Sequence, residues 1–314
     1  MTIANLDPHM AEILELGAEA NLPPFESMSA VAARAAAGER FAFWNEEHPA
    51  VKSVLDIGIP GPGGAMQMRV YVPNGAAERG PGALFLHGGC WVYGSVDTHD
   101  DFCRRLANAS GFRLASLNYR TAPEYPFPAP LEDCVAGANW LHENGASIGI
   151  DPDRIAISGD SAGANLALAS CIALRDRKQR MPRAAALLYG VYSPDDGAPS
   201  YREYGGGYYV ISHSLLNWGW DQYAPNLADR ANPLAAPLNA DLTGMPPLFV
   251  SAAQLDPLRD DSERLAARLA ACGVDFDYRL LRGFCHACTM MSRMLPAADA
   301  QIAQIGDFLR HRLK

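Results

Sequence analysis

From residue 83 onward, short and nearly continuous apolar runs alternate with helical stretches, and this alternation restricts the fold more than any other feature of the chain. ALFLHGG (83–89) is followed by a helix near 98–109, FRLASLNYR (112–120) by a helix over 130–145, and RIAISGDS (154–161) by SAGANLALASCIALRDRKQ. AAALLYG stands at 184–190, and PLFVSAAQLD (247–256) precedes LRDDSERLAARLAACG, with Gly273 as its C-cap. FDYRLLRG (276–283) precedes a last helix that runs to about His311. Runs that are apolar on both faces and separated by helices predict an α/β fold, a mostly parallel central sheet flanked by helices.

Two regions break the pattern. The first fifty residues read as amphipathic helices, HMAEILELGAEA and, after the break at Pro23-Pro24, SMSAVAARAAAGERFAFWNEEH, which Ser29 can cap. MQMRVYVP, centred on 67–73, then alternates apolar and polar residues as a half-exposed strand does. Residues 193–245 hold aromatics, three glycines at 205–207 and many prolines but no clear strand, which suits a lid or cap insertion.

Composition narrows the partners. With 49% hydrophobic and 19% charged residues the chain is an ordinary globular one. A net charge of -9 with no Lys/Arg block weighs against nucleic acid and anionic membrane and favours an uncharged small-molecule substrate. No apolar run approaches the roughly 18 residues of a bilayer span, and the N-terminus does not read as a signal peptide. Seven scattered cysteines do not look like a disulfide framework, so a cytoplasmic location is expected.

The sharpest motif is GDSAG, Gly159 to Gly163, between the strand RIAIS and the helix ANLALASCIAL. In such an elbow the serine occupies a strained turn that projects its hydroxyl from the sheet edge, while the glycines let the neighbouring backbone pass. A structural Gly-Ser turn is the bland alternative, but the strand and the helix lie on the required sides. Serine needs a base, and the base needs a carboxylate to orient it. Asp256 ends a later strand, where sites form in such sheets, although an Asp before a helix is also a common N-cap. Asp260 and Asp261 read as first-turn helix charges. Of the histidines after Ser161, His213 lies in the expected lid and His311 near the C-terminus, which leaves His286, in a loop after the last strand, as the base.

His286 sits inside GFCHAC. A zinc site would need a second Cys or His pair, and redox chemistry would place C-x-x-C at a helix start, so no metal and no cofactor is expected. Cys285 and Cys288 read as small apolar packers whose thiols could leave the site sensitive to thiol reagents. HGGCW (87–91) follows the strand ALFL, where paired glycines can turn main-chain N–H groups towards one point, and Ala162 after the serine adds another.

HGGCWVYGSVDTHD, NYRTAPEYPFPAPLEDC, GDSAGANLA, NPLAAPL, LDPLRDDSERLA and GFCHAC together resemble the successive blocks of the hormone-sensitive-lipase-like esterases, the GDSAG branch of the α/β-hydrolase fold, over nearly the whole chain. The resemblance implies Ser161 as nucleophile, His286 as base and Asp256 as orienting acid. It implies oxyanion donors among the N–H groups of Gly88, Gly89, Cys90 and Ala162, with Cys90 standing where the family has a third glycine. It further implies a cap built from residues 1–50 and from an insertion around 193–225, on a catalytic domain of residues 51–314. Trp91, Asp160, Tyr189, Tyr209 and Leu255 are the expected substrate pocket. The implied activity is a metal-independent carboxylesterase for short- to medium-chain acyl esters, with amide, lactone or N-acyl cleavage by the same machinery, or a receptor on this fold, as rivals. Relatives are often homodimers.

Overall fold

The computed structural model describes residues 6–194 and 197–314; residues 1–5, in the expected N-terminal cap segment, and 195–196, in the expected insertion, lie outside the described residues. The expected sheet is present. Its strands are β1 (Ser53–Gly61), β2 (Gly64–Val72), β3 (Gly80–Leu86), β4 (Arg113–Leu117), β5 (Ile150–Asp160), β6 (Ala184–Leu188), β7 (Leu248–Leu255) and β8 (Phe276–Cys285). They lie side by side in the order β1-β2-β4-β3-β5-β6-β7-β8. The pairs β1–β2 and β2–β4 are antiparallel and all later neighbours are parallel.

Between and around the strands run α1 (Pro8–Ala20), α2 (Ala30–Ala42), α3 (Asp100–Ser110), α4 (Ala129–Asn144), α5 (Ala162–Asp176), α6 (Pro199–Tyr204), α7 (His213–Tyr223), α8 (Arg259–Ala271) and α9 (Pro296–Arg312). The apolar runs are continuous because both faces of the sheet are covered. Along β3, Leu84 and Leu86 join the core with Leu131 of α4, Leu168 of α5 and Leu265 of α8. Ala83 and Phe85 point the other way, into a core with Met10 of α1, Phe102 of α3 and Ile305 of α9.

Two details depart from the sequence reading. β1 is a strand that the pattern did not suggest, because Gly58 and Pro60 interrupt its apolar residues; proline is tolerated there because β1 is the sheet's edge. Asp260 and Asp261 are also more than helix-end charges. Asp261 is fully buried and accepts the Tyr192 and Ser193 N–H groups at 2.7 and 3.0 Å, and Asp260 accepts that of Ser200 at 2.9 Å. The start of α8 thereby ties down both flanks of the segment after β6, and buried main-chain donors there find charged acceptors.

The N-terminal segment meets α7 over the carboxyl edge of the sheet. Glu26 accepts hydrogen bonds from the hydroxyls of Ser212 and Ser214, at the start of α7, at 2.7 and 2.6 Å. Arg34 of α2 donates to the carbonyls of Val92 and Ala122 and pairs with Glu124. Ser29 caps α2 as the sequence suggested, accepting the Ala32 N–H.

Candidate active site

β5 ends at Asp160, α5 begins at Ala162, and Ser161 alone makes the turn between them. Its φ of 53° and ψ of -118° lie in a region costing about 1–3 kcal/mol, held here by the Ser161 N–H bond to Leu188 O at 2.8 Å. A Cβ at Gly159 would overlap the Gly163 carbonyl, and one at Gly163 would overlap that of Leu86. The two flanking glycines are therefore a packing requirement, Gly159 because the start of α5 folds back over it and Gly163 because the elbow rides on the end of β3.

His286 follows β8, and its Nε2 lies 2.9 Å from Ser161 Oγ. Its Nδ1 lies 2.8 Å from Asp256 Oδ2, at the end of β7. An ionised carboxylate only accepts, so Nδ1 carries the hydrogen and Nε2 presents a lone pair to the serine hydroxyl. Asp256 is not the N-cap weighed from sequence, because α8 begins at Arg259 with Leu258 in the cap position; its Oδ1 instead accepts the Leu258 N–H at 2.8 Å in the turn ahead of α8. Pro257 thus precedes the helix. Three side chains from positions 161, 256 and 286, all nearly or fully buried, form one hydrogen-bonded chain.

The cysteines beside His286 are buried, and burial pushes the Cys285 thiol up to about 12 and that of Cys288 higher still. At neutral pH both are thiols, which runs against the expected sensitivity to thiol reagents. Among the described residues no group of three His, Cys, Asp or Glu side chains is placed to hold a metal ion.

The loop after β3 is pinned from several sides. Tyr119 OH donates to His87 O at 2.6 Å, and His87 Nδ1 lies 2.9 Å from Gly88 O. Gly88 N–H donates to Asp160 Oδ1 at 2.8 Å. That bond removes Gly88 from the expected oxyanion donors, because its one hydrogen points to the carboxylate beneath the loop. Gly89, Cys90 and Trp91 follow with φ of 116°, 53° and 60°. Cys90 therefore adopts the left-handed backbone that glycine would take more easily. The N–H groups of Gly89, Cys90 and Ala162 donate to no other group among the described residues.

Beside Ser161 and His286 opens a cavity of about 100 Å³. Gly89, Cys90 and Asp160 reach it from below, Phe25 and Phe41 from the N-terminal segment, and Val210, Ile211, Leu215 and Leu216 from the stretch before and within α7. Four expected pocket residues lie elsewhere. Trp91 is turned away by its positive φ and stacks on Tyr223 at 4.3 Å. Tyr189 stands edge-on against the His286 ring at 4.9 Å, with its OH 2.6 Å from Thr289 Oγ1. Tyr209 packs on Tyr204 and Tyr208, and Leu255 is buried in the core on the α1, α3 and α9 side. The true wall comes from segments nearly 200 residues apart, so no local motif marked it; the exception is Tyr93, six residues beyond His87 in the same block.

The sequence profile of a family described as the alpha/beta hydrolase fold matches residues 83–290, about two thirds of the chain. The chain belongs to the α/β-hydrolase fold family. Within that family it falls among the hormone-sensitive-lipase-like members, as the motifs suggested. This α/β-hydrolase is 36% identical over 239 residues to the carboxylic ester hydrolase LipN of Mycobacterium tuberculosis, covering 74% of the chain and 63% of that relative's length. It is 33% identical over 275 residues to an acetyl esterase of Salmonella paratyphi B, covering 87% of the chain and 84% of the relative. Among solved structures it resembles an ester hydrolase from the metagenome of Lake Arreo, with a TM-score of 0.93, 32% identity and 98% coverage of both chains.

Proposed function

We propose that the chain is a serine carboxylesterase for short-chain acyl esters. The observation that carries this reading is the hydrogen-bonded chain from Ser161 Oγ through His286 to Asp256, at 2.9 and 2.8 Å. Ser161 Oγ attacks the ester carbonyl while His286 Nε2 takes its proton, and Asp256 steadies the imidazolium that forms. The N–H groups of Gly89, Cys90 and Ala162 receive the oxyanion. The tetrahedral species collapses, the alcohol leaves with the proton from His286, and the acyl group stays on Ser161. Water, activated by the same His286, then releases the acid.

The cavity beside Ser161 and His286 is small, about 100 Å³, which favours short acyl chains. The acetyl esterase among the relatives supports the same range. The N-terminal helices and the segment around 193–225 act as the cap, since Phe25, Phe41, Leu215 and Leu216 wall the cavity from above. Seven unpaired cysteines suit a reducing cytoplasm.

The test is a p-nitrophenyl ester series from acetate to palmitate on wild type and Ser161→Ala. The expected result is a maximum at the shortest chains and a loss in kcat on the order of 10⁴-fold or more in the variant. Equal hydrolysis by both proteins would end the reading, and a maximum at palmitate would replace it with a lipase.

A further inference from the structure

Tyr189 is fully buried and packs edge-on to the His286 ring, yet the acyl-transfer steps above give it no part. Its backbone is strained: φ is 36°, in the left-handed region that an aromatic residue seldom enters. Such outliers persist where the surrounding structure over-determines them, and they gather at functional sites. Around Tyr189 the surroundings all belong to the reactive chain of side chains. The carbonyl of Leu188, one residue earlier, accepts the Ser161 N–H at 2.8 Å. The Tyr189 N–H donates at 2.8 Å to Ser251 O on β7, the strand that ends just before Asp256. The ring meets His286 at a centroid distance of 4.9 Å, with the planes 65° apart. The hydroxyl lies 2.6 Å from Thr289 Oγ1, three residues beyond His286. Burial pushes this phenol well above its ordinary range, so it keeps its hydrogen at neutral pH. One residue is thereby fixed against the supports of all three proposed triad members.

The His286 loop needs such a fixed point. It leaves β8 at Cys285, passes through Ala287 at a φ of 58° and closes into the short 3₁₀ turn Cys288–Met290. Thr289 lies in that turn and is 1% exposed, so its bond to Tyr189 forms without competition from bulk water. In the free enzyme the imidazole is also held at both nitrogens, by Ser161 and by Asp256. The acyl-enzyme differs. Ser161 Oγ is then an ester oxygen with no hydrogen to give, and the Nε2 lone pair is left to receive a water molecule. One of the ring's two anchors is gone, and packing against its side has to keep it from swinging about the other.

We propose that Tyr189 is a positioning residue for His286 that matters most during deacylation. Its ring blocks the imidazole from turning out of line while Ser161 is esterified, and its hydroxyl, bonded to Thr289, keeps ring and loop together. The inference rests on the reading of Ser161, His286 and Asp256 as an esterase triad.

The experiment is rapid-mixing kinetics of the full chain with p-nitrophenyl acetate, whose good leaving group makes acylation the faster step. The burst of nitrophenol reports acylation, and the steady rate that follows reports deacylation. Tyr189→Ala removes both ring and hydroxyl. Deacylation is expected to slow by about tenfold or more while acylation stays within about threefold, so that kcat and KM fall together and kcat/KM is nearly kept. Tyr189→Phe and Thr289→Val each break only the tether and should slow deacylation by about threefold; combined, they should do no more harm than either alone, because both remove the same bond. Should Tyr189→Ala not fold, Tyr189→Leu, which fills the space without a flat ring, takes its place and should show the same split. A merely structural lesion would not single out one step. A loss that falls equally on both steps or mainly on acylation, or no loss at all, overturns the proposal. A wild type that never acylates Ser161 overturns the esterase reading and this inference with it, whereas acylation with an even loss in the variants overturns this inference alone.

Discussion

Gly219 lies inside α7 and packs on Cys90, the residue that stands where related loops carry a third glycine. A Cβ added at 219 would lie 2.9 Å from Cys90 Cβ, 3.5 Å from its Sγ and 3.4 Å from its carbonyl oxygen. Carbon atoms prefer about 3.5–4.0 Å, so in Gly219→Ala the helix and loop must separate by roughly 0.6 Å or more. They are poorly placed to do so, because Trp91, next to Cys90, is wedged against Trp220 and Tyr223 of α7 at 4.7 and 4.3 Å. Overpacking of this kind costs about 1–3 kcal/mol. Replacing a helical glycine by alanine returns about 1 kcal/mol, so the expected net loss in the wild-type background is about 1 kcal/mol. In Cys90→Gly the two side-chain contacts vanish and only the 3.4 Å carbonyl contact remains. There Gly219→Ala should stabilise by about 1 kcal/mol, a reversal of sign. Urea unfolding of the four proteins measures it, with the m-value as a check that the compared states are the same. A change at Gly219 that agrees within about 0.5 kcal/mol in the two backgrounds would refute the argument.

Gly38, exposed on α2, is the converse case: a Cβ there meets nothing within 4 Å, so Gly38→Ala should stabilise by about 1 kcal/mol, seen as a rise of about 2 °C in Tm. His87 makes the fold acid-sensitive. Its pKa is lowered to about 3 by burial and by His99, while the unfolded chain titrates near 6.5, so the unfolded state binds the proton first as pH falls. Its stabilisation is complete above about pH 7 and lost progressively from 6.5 towards 3, amounting to about 2 kcal/mol by pH 5. Urea midpoints across pH 5–7.5 for wild type and His87→Phe check this, and equal slopes for the two proteins would refute it.

The parallel sheet and the convergence of residues 161, 256 and 286 were legible because they rest on local rules. A strand buried on both faces must be continuously apolar, as ALFL and PLFV are, and an elbow packed between β3 and the start of α5 admits no Cβ at 159 or 163. Asp256 could be placed because carboxylates that serve such sites stand at strand ends. β1 escaped because its exposed edge tolerates Gly58 and Pro60, which erase the usual strand signal.

What the sequence by itself determined is therefore the covalent order of elements and the chemistry waiting at the ends of β5, β7 and β8. Only the tertiary structure decided the cavity wall, because Phe25, Phe41, Leu215 and Leu216 meet through packing between segments with no shared local pattern. It also decided that Gly88 N–H serves Asp160 rather than a substrate, and that Asp160 faces His99. The direction of one N–H bond depends on which acceptor the folded chain brings beneath it, and nothing in H-G-G-C encodes that.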